Sequence, residues 1–420
     1  MVEPIRMSTE EERLEYLELA NFNPFLLNSD NVIIDLLTDS GTSAMSAKQW
    51  SKLMEGDESY AGSHSWMRME REIKELTGYP FILPTHQGRA AERILYGHVG
   101  GAEKVFLSNT HFDTTRANIE FTGGKAIDIP IPENHEPDNL HPFKGNLDIS
   151  KLEASIKEYA AENIGAVILT VTNNSGGGQP VSMDNARQVA TICKEHGILF
   201  ILDACRIAEN SYFIRHREDG YGRTAYWQIA REMFRLADGA IMSAKKDGLV
   251  NMGGFLALKD EKLAEACSNL LIITEGFATY GGLTGRDMEA IAQGLQEVFD
   301  ADYLRYRIKS TQYLGDRLHE IGVPLIRPIG GHAVYIDAKK LYPQIPMEHY
   351  PGQALVVELY KKRRDTCRRD WIGYVRQIRY KKPTDTGSNG TSKTGNTAES
   401  LYSKPCRLYH RGISGYSGRP

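Results

Sequence analysis

Two adjacent lysines, Lys245 and Lys246, stand in ADGAIMSAKKDGLVNMGG (237–254), between an apolar run that reads as a buried strand and a glycine pair that reads as a tight turn. An ammonium in such a place is costly unless it is paired or its pKa is lowered, and a lysine with a lowered pKa can do chemistry. Asp203, in DACR, ends another apolar run 43 residues before Lys246. A lysine and an aspartate at the ends of parallel strands suit pyridoxal phosphate: the amine holds the aldehyde, and the carboxylate keeps the pyridine nitrogen protonated so that the ring accepts electrons. Taken alone, the same residues also read as solvated turn lysines and a helix cap.

QGRAAER (87–93) adds a place for a phosphate. Gly88 and Arg89 open a helix whose first N–H groups and positive dipole end suit an anion, and Ser243 can offer a hydroxyl to the same group. Alone, a glycine before a helix is commonplace and the serine reads as a cap.

The elements that must position these residues read as an α/β fold. From about 80 to 255, FILPTHQG, KVFLSN, KAIDIPI, GAVILTVTN, ILFILDACR, DGAIMSAKKDG and GGFLALKD form short β-rich runs among helical patterns such as MDNARQVATICKEHG. Strands separated by helix-length segments imply a mostly parallel sheet covered on both faces, with the site at the strand ends. QGR (87–89), NNSGGGQP (173–180), DACR (203–206) and SAKKD (243–247) all fall at such ends. Residues 287–322 read as helical, and IRPIGGHAVYIDA reads as a strand pair of a second domain. The expected organisation is an N-terminal segment, 1–45, joining a small domain; a large cofactor-binding domain, 46–300; a partial small domain, 301–361; and a polar, disordered tail, 362–420.

Composition narrows the class. The chain has 420 residues, 41% of them hydrophobic, and a formal net charge of -4. Residues 361–420 hold 15 Lys+Arg against 4 Asp+Glu, leaving 35 against 50 in the first 360, so two compositions share one chain. No uninterrupted apolar run reaches membrane-spanning length, and MVEPIRMSTEEERLEYLELA is too charged for a signal peptide, so a cytoplasmic protein is expected. Five scattered cysteines without a CxxC pair argue against a disulfide scaffold or a zinc site.

The motifs LLTDSGT (36–42), GDESYAGS (56–63), PTHQGRAAE (84–92), FDTTR (112–116), NSGGGQPVS (174–182), DACRIAENSYFI (203–214), SAKKDGLVNMGGF (243–255) and YGGLTGRDMEA (280–290) resemble those of the tryptophanase and tyrosine phenol-lyase family. The resemblance runs from about residue 20 to 361. It implies pyridoxal-phosphate-dependent β-elimination on the aspartate-aminotransferase fold. By resemblance, Lys246 holds the cofactor and Lys245 neighbours it; Asp203 pairs with the pyridine nitrogen, Arg206 lies near the ring oxygen and Phe112 stacks on the ring. Gln87, Gly88, Arg89 and Ser243 hold the phosphate, and Asn174 bonds the ring hydroxyl and, with Thr38 and Ser40, orients substrate. Tyr60 matches the acid that protonates the leaving group from a neighbouring subunit. Glu58, with the carbonyls of Gly41 and Asn251, matches a monovalent cation site for potassium, whose oxygen-only ligands suit a hard cation. Ala90 stands where relatives carry glycine.

Asp113 occupies a position that is aspartate in tryptophanases and threonine in tyrosine phenol-lyases, and Phe277 also follows the tryptophanase pattern. The resemblance therefore implies an aromatic amino acid substrate, with indole favoured over phenol as leaving group, and a homotetramer whose dimers share the active site.

After ALVVELYK (354–361) the resemblance stops where the charge balance reverses. Codons permitted for Arg363 to Ile372, such as CGG CGG GAT ACG TGC CGT AGA GAT TGG ATC, give GGIRAVEIG one nucleotide later, close to the family's AGIRAVEIGS. The same offset lets 392–410 yield LRLVIPRRVYTQSHVDYI, with the family's carboxylate-clamping arginine at the codon read as Lys393. A frameshift near 362 is the resulting hypothesis, with an intact cofactor site and little or no lyase activity expected of the chain as it stands. The competing reading, nucleic-acid binding by the basic tail, is disfavoured because the offset explains the composition.

Overall fold

A computed structural model describes residues 6–41 and 45–362, together with the backbone of a strand at 406–409. The reading-frame question and Lys393 lie outside the described residues.

Seven strands form one sheet: β1 (Phe81–Thr85), β2 (Val105–Ser108), β3 (Lys125–Asp128), β4 (Ile164–Thr170), β5 (Phe200–Asp203), β6 (Gly239–Ser243) and β7 (Gly254–Leu258), in the order β1-β7-β6-β5-β4-β2-β3. β2 runs parallel to β3 and β4, β4 to β5, and β5 to β6, while β7 lies antiparallel between β1 and β6. The mostly parallel α/β sheet is therefore present as the sequence implies.

Alternation along the strands divides the core in two. Val105, Leu107, Val167, Leu169, Phe200, Leu202, Ala240 and Met242 enter one apolar cluster, and Phe106, Ala166, Ile168, Ile201 and Ile241 enter the other. The first face is covered by helices that include His64–Thr77, Met183–His196, Tyr226–Leu236 and Gly285–Glu297; the second by Gly88–Val99 and Glu261–Thr274. Each large side chain removed from water here contributes about 2 kcal/mol, which is why both strand faces are apolar.

By chain contact, one unit takes Asp39–Ser310 with Gly330–His332, and the other takes, among the described residues, 6–38, Thr311–Ile329, 333–362 and the strand 406–409. The second boundary falls inside the helix Ala301–Glu320. The smaller unit has its own core of Leu318, Val323, Leu325, Val334, Ile336 and Leu355. The helical stretch read at 287–322 is two helices, Gly285–Glu297 and Ala301–Glu320, with Asp300 accepting the Tyr303 N–H at the break.

The strand pair read in IRPIGGHAVYIDA is one strand, β8 (Ala333–Ile336), with a single bridge from Leu325 to Ile336. Pro328 and the Gly330–Gly331 pair interrupt the other half, because proline brings no N–H to a ladder. β8 pairs antiparallel with β9 (Cys406–Tyr409), so these four residues of the expected disordered tail are strand.

Candidate active site

The residues singled out from sequence converge beyond the carboxyl ends of the parallel strands. One cleft is lined by Ser40, Gln87, Gly88, Arg89, Phe112, Asn174, Asp203, Arg206, Ser243, Lys245 and Lys246, with Glu92, Thr114, Thr170 to Asn173, Cys205 and Ile241 filling between them.

Most are delivered by a strand end. β1 leads into Gln87, the N-cap of helix Gly88–Val99, whose side chain makes no capping bond. The first helical N–H groups therefore point toward the cleft, the arrangement that binds anions. A Cβ on Gly88 would lie 2.8 Å from Cβ of Ser243, and one on Gly254 would lie 2.8 Å from the nitrogen of Gly88. Glycine at both positions lets the helix start sit directly on β6 and β7.

β6 ends at Ser243, and one turn later the Nζ of Lys246 donates to Ser243 Oγ at 3.1 Å. β5 ends at Asp203, 6% exposed, whose Oδ1 accepts the Cys205 N–H at 3.3 Å. Burial pushes its carboxyl above the ordinary range, against the Cys205 hydrogen bonds and the charges of Lys246 and Arg206. Past β4, Asn174 donates to Asp39 Oδ2 at 2.7 Å, and Arg206 bonds the same oxygen at 3.2 Å and Asn174 Oδ1 at 3.4 Å.

These residues fit pyridoxal phosphate. Asp203 is a buried carboxylate whose bonding within the chain is slight, suited to a protonated ring nitrogen. Gly88 and Ser243 form a cradle that a side chain would fill, and Thr170 Oγ1 is buried without a hydrogen-bond partner.

Other sequence assignments are not among the residues lining the cleft. Thr38 belongs to the smaller unit, where its N–H bonds Asp35 Oδ1 at 2.9 Å. Asp113 opens the helix Asp113–Phe121 between Phe112 and Thr114, two residues that line the cleft. Tyr60 is 73% exposed, its ring 5.8 Å from Phe277 and 5.6 Å from Tyr280. Gly41 and Asn251 come together, the Asn251 amide donating to the Gly41 carbonyl at 2.7 Å, and Gly41 N–H bonds the Lys245 carbonyl at 2.9 Å. Glu58 accepts the N–H of Gly285 at 3.1 Å.

The chain matches the family model described as beta-eliminating lyase over residues 35–372. The chain belongs to this family. A tryptophanase of Salinibacter ruber is 58% identical over 359 residues, which are 86% of this chain and 76% of that protein. A tyrosine phenol-lyase of Symbiobacterium thermophilum is 48% identical over 359 residues, 86% of this chain and 78% of that protein. Among solved structures, an aspartate aminotransferase double mutant of Thermus thermophilus superposes with a TM-score of 0.58 at 14% identity, covering 84% of this chain and 87% of that one. The family and this fold make the chain a pyridoxal-phosphate-dependent lyase.

Several residues of this family member's site escaped the sequence reading. Asp39 lies inside LLTDSGT, but its bond to Asn174 spans 135 residues. Glu92 sits one turn into the helix after Gly88, buried, accepting from Thr115 Oγ1 at 2.5 Å and Asn118 Nδ2 at 3.3 Å. Helical spacing from Gly88 was a signal for it. His332, whose Nδ1 lies 3.2 Å from Glu209 Oε2 and whose Nε2 contacts Asn174 Oδ1, carried no such signal.

Proposed function

We propose that the chain cleaves L-tryptophan, with water, into indole, pyruvate and ammonia. The observation that carries this reading is the convergence of Lys246 and a sparsely bonded, buried Asp203 on one cleft, in a chain 58% identical to a tryptophanase.

Pyridoxal phosphate supplies the electron sink for the carbanion formed at the substrate's α-carbon. Gln87, Gly88, Arg89 and Ser243 would hold its phosphate, Lys246 its aldehyde carbon, and Asp203 would keep a proton on its ring nitrogen. Phe112 would pack on the ring, Arg206 and Asn174 would bond its oxygen, and Lys245 would add positive charge nearby. Lys246 Nζ would remove the proton from the substrate's α-carbon. Thr38, Ser40 and Asn174 orient the substrate.

Tyr60, from a second copy of the chain, delivers a proton to indole C3, and Asp113 stabilises the proton on the ring, making indole a leaving group. The exposure of Tyr60 supports a site shared between copies in a homotetramer. Glu58 and the carbonyls of Gly41 and Asn251 would hold potassium, which would fix the backbone around Lys245 through the Gly41 N–H bond to that residue's carbonyl. Among the described residues no helix is long and apolar enough to cross a membrane, which accords with a cytoplasmic enzyme.

The alternative, phenol release from tyrosine, draws on the 48% identity to a tyrosine phenol-lyase; Asp113 opposes it. Purified protein supplied with pyridoxal phosphate is expected to absorb above 400 nm and, after borohydride, to carry the label on Lys246. Protein that stays colourless ends the reading. Indole and phenol release, measured on this chain and on one with the reading frame restored after 362, separates the substrates and tests the tail. Restored indole release is expected, and equal rates would refute the frameshift account.

A further inference from the structure

The turn that brings Gln87 to the cleft is tied to a second stretch of chain by two groups that the reaction above does not use. The backbone N–H of His86 donates to Glu275 Oε2 at 3.2 Å, and its ring Nδ1 meets the same oxygen. A carboxylate oxygen only accepts, so Nδ1 carries the proton. The other ring nitrogen, Nε2, faces the side-chain Nε2 of Gln87 at 2.8 Å. An amide nitrogen only donates, so this ring nitrogen accepts, and the Gln87 amide is held with its NH2 toward His86 and its second N–H still to give.

Glu275 closes the helix Glu261–Thr274 and opens the stretch that ends at Leu283. That stretch lies directly on the chain around His86. At Gly281, with φ +52°, a Cβ would fall 1.8 Å from the Pro84 carbonyl oxygen; at Gly282, with φ +76°, it would fall 3.6 Å from Glu275 Oε2 and 3.7 Å from Cβ of His86. The same stretch carries Phe277 and Tyr280, which flank the Tyr60 ring, and Thr279 Oγ1 donates to the Tyr60 carbonyl at 2.6 Å.

We infer that His86 and Glu275 are positioning residues that couple an anion held at Gln87 to the placement of the aromatic stretch 276–283. Glu275 fixes the ring, the ring fixes the amide, and the carboxylate anchors the start of the stretch that holds Tyr60. A preoriented amide loses less freedom on meeting the phosphate, and ordering it orders Glu275. The inference rests on the reading of Gln87 as a ligand of the cofactor phosphate.

The test titrates the full-length apoprotein with pyridoxal phosphate, followed above 400 nm, and measures amide hydrogen exchange of 276–283 with and without it. In the unaltered protein the cofactor is expected to slow that exchange. Glu275→Ala and His86→Phe are expected to weaken cofactor binding on the order of tenfold, the worth of one lost hydrogen bond, and to remove the slowing. Glu275→Gln, whose amide oxygen accepts from both His86 N–H groups, should stay within about threefold. Should Glu275→Ala fail to fold, His86→Phe and Glu275→Gln carry the test. Unaltered binding in a folded Glu275→Ala or in His86→Phe, or equal losses in Glu275→Gln and His86→Phe, overturns the inference alone. An unaltered protein that takes up no cofactor overturns the reading of the site as well.

Discussion

Asp203 and Asp247 are two buried carboxylates beyond neighbouring strand ends, and they are bonded in opposite ways. Asp247, fully buried, has both oxygens occupied: Oδ2 accepts the Ala208 N–H at 2.7 Å and Oδ1 the Arg307 guanidinium at 3.2 Å, which also reaches Glu209 at 2.5 Å. Asp203 faces the cleft with one 3.3 Å bond from Cys205 N–H and a thiol beside it. Burial pushes both carboxyls up, Asp247 to about 6 against the pull of Arg307. A buried carboxylate closed by its own chain is architecture, and one left facing a cleft is a binding group.

The sharpest way to break this comparison is to neutralise each in turn. In the chain with its reading frame restored after 362, Asp203→Asn is expected to lower kcat/KM for tryptophan on the order of a thousandfold while leaving the urea midpoint of the apoprotein unchanged or raised, because an isolated buried carboxylate costs stability. Asp247→Asn should do the reverse, destabilising by about 3 kcal/mol because Arg307 loses a partner in a buried network. Indole assays and urea melts on both variants decide it. Equal destabilisation by the two would mean that Asp203 is architecture as well.

Glu92 stands between these cases, and its titration sharpens the contrast. It lines the cleft as Asp203 does, yet accepts from Thr115 and Asn118. Burial raises its carboxyl from 4.5 to about 7, with hydrogen bonds from Thr114 and Thr115 opposing and Asp203 adding to the rise. A carboxyl raised in the folded state favours folding fully below its unfolded pKa, and that advantage is lost as pH climbs through the folded value. The apoprotein should therefore lose up to roughly 3 kcal/mol of unfolding free energy between pH 4.5 and 7 through this group. Glu92→Gln should flatten that part of the profile in urea melts at stepped pH. An unchanged slope would show that the group is ionised in the folded chain.

What the sequence made legible follows from the range of each interaction. Strand ends are local features, so Asp203, Ser243 and Lys246 could be placed on one rim from alternation and turn residues alone. Gln87 and Gly88 were readable because a helix start is local too. Partners that meet across the chain were not: Asp39 reaches Asn174 from 135 residues away, and Arg307 reaches Asp247 from 60. The second strand of IRPIGGHAVYIDA is absent for a local reason, Pro328 and the Gly330–Gly331 pair, which the apolar content of the run obscures. Tyr60 is not among the residues lining the cleft, and the role proposed for it calls on a second copy that no single-chain pattern can position.

Asp113 supplies the smallest expected effect and a third carboxylate environment. It lies in the first turn of the helix Asp113–Phe121, where a negative charge gains about 0.5 kcal/mol from the helix dipole whether or not substrate is near. If it also stabilises a proton on the indole ring, Asp113→Thr in the frame-restored chain should lower kcat/KM for tryptophan about tenfold and leave tyrosine turnover unchanged. Asp113→Asn, which keeps the side-chain shape and removes the charge, should fall with the threonine variant if charge is the cause. Both should melt within about 1 kcal/mol of the parent, since a partly exposed first-turn charge contributes no more than that. Measuring the two substrates on one preparation cancels differences in active fraction. A tryptophan-to-tyrosine ratio that does not move would assign Asp113 to the helix alone and leave Phe277 as the residue to test for leaving-group choice.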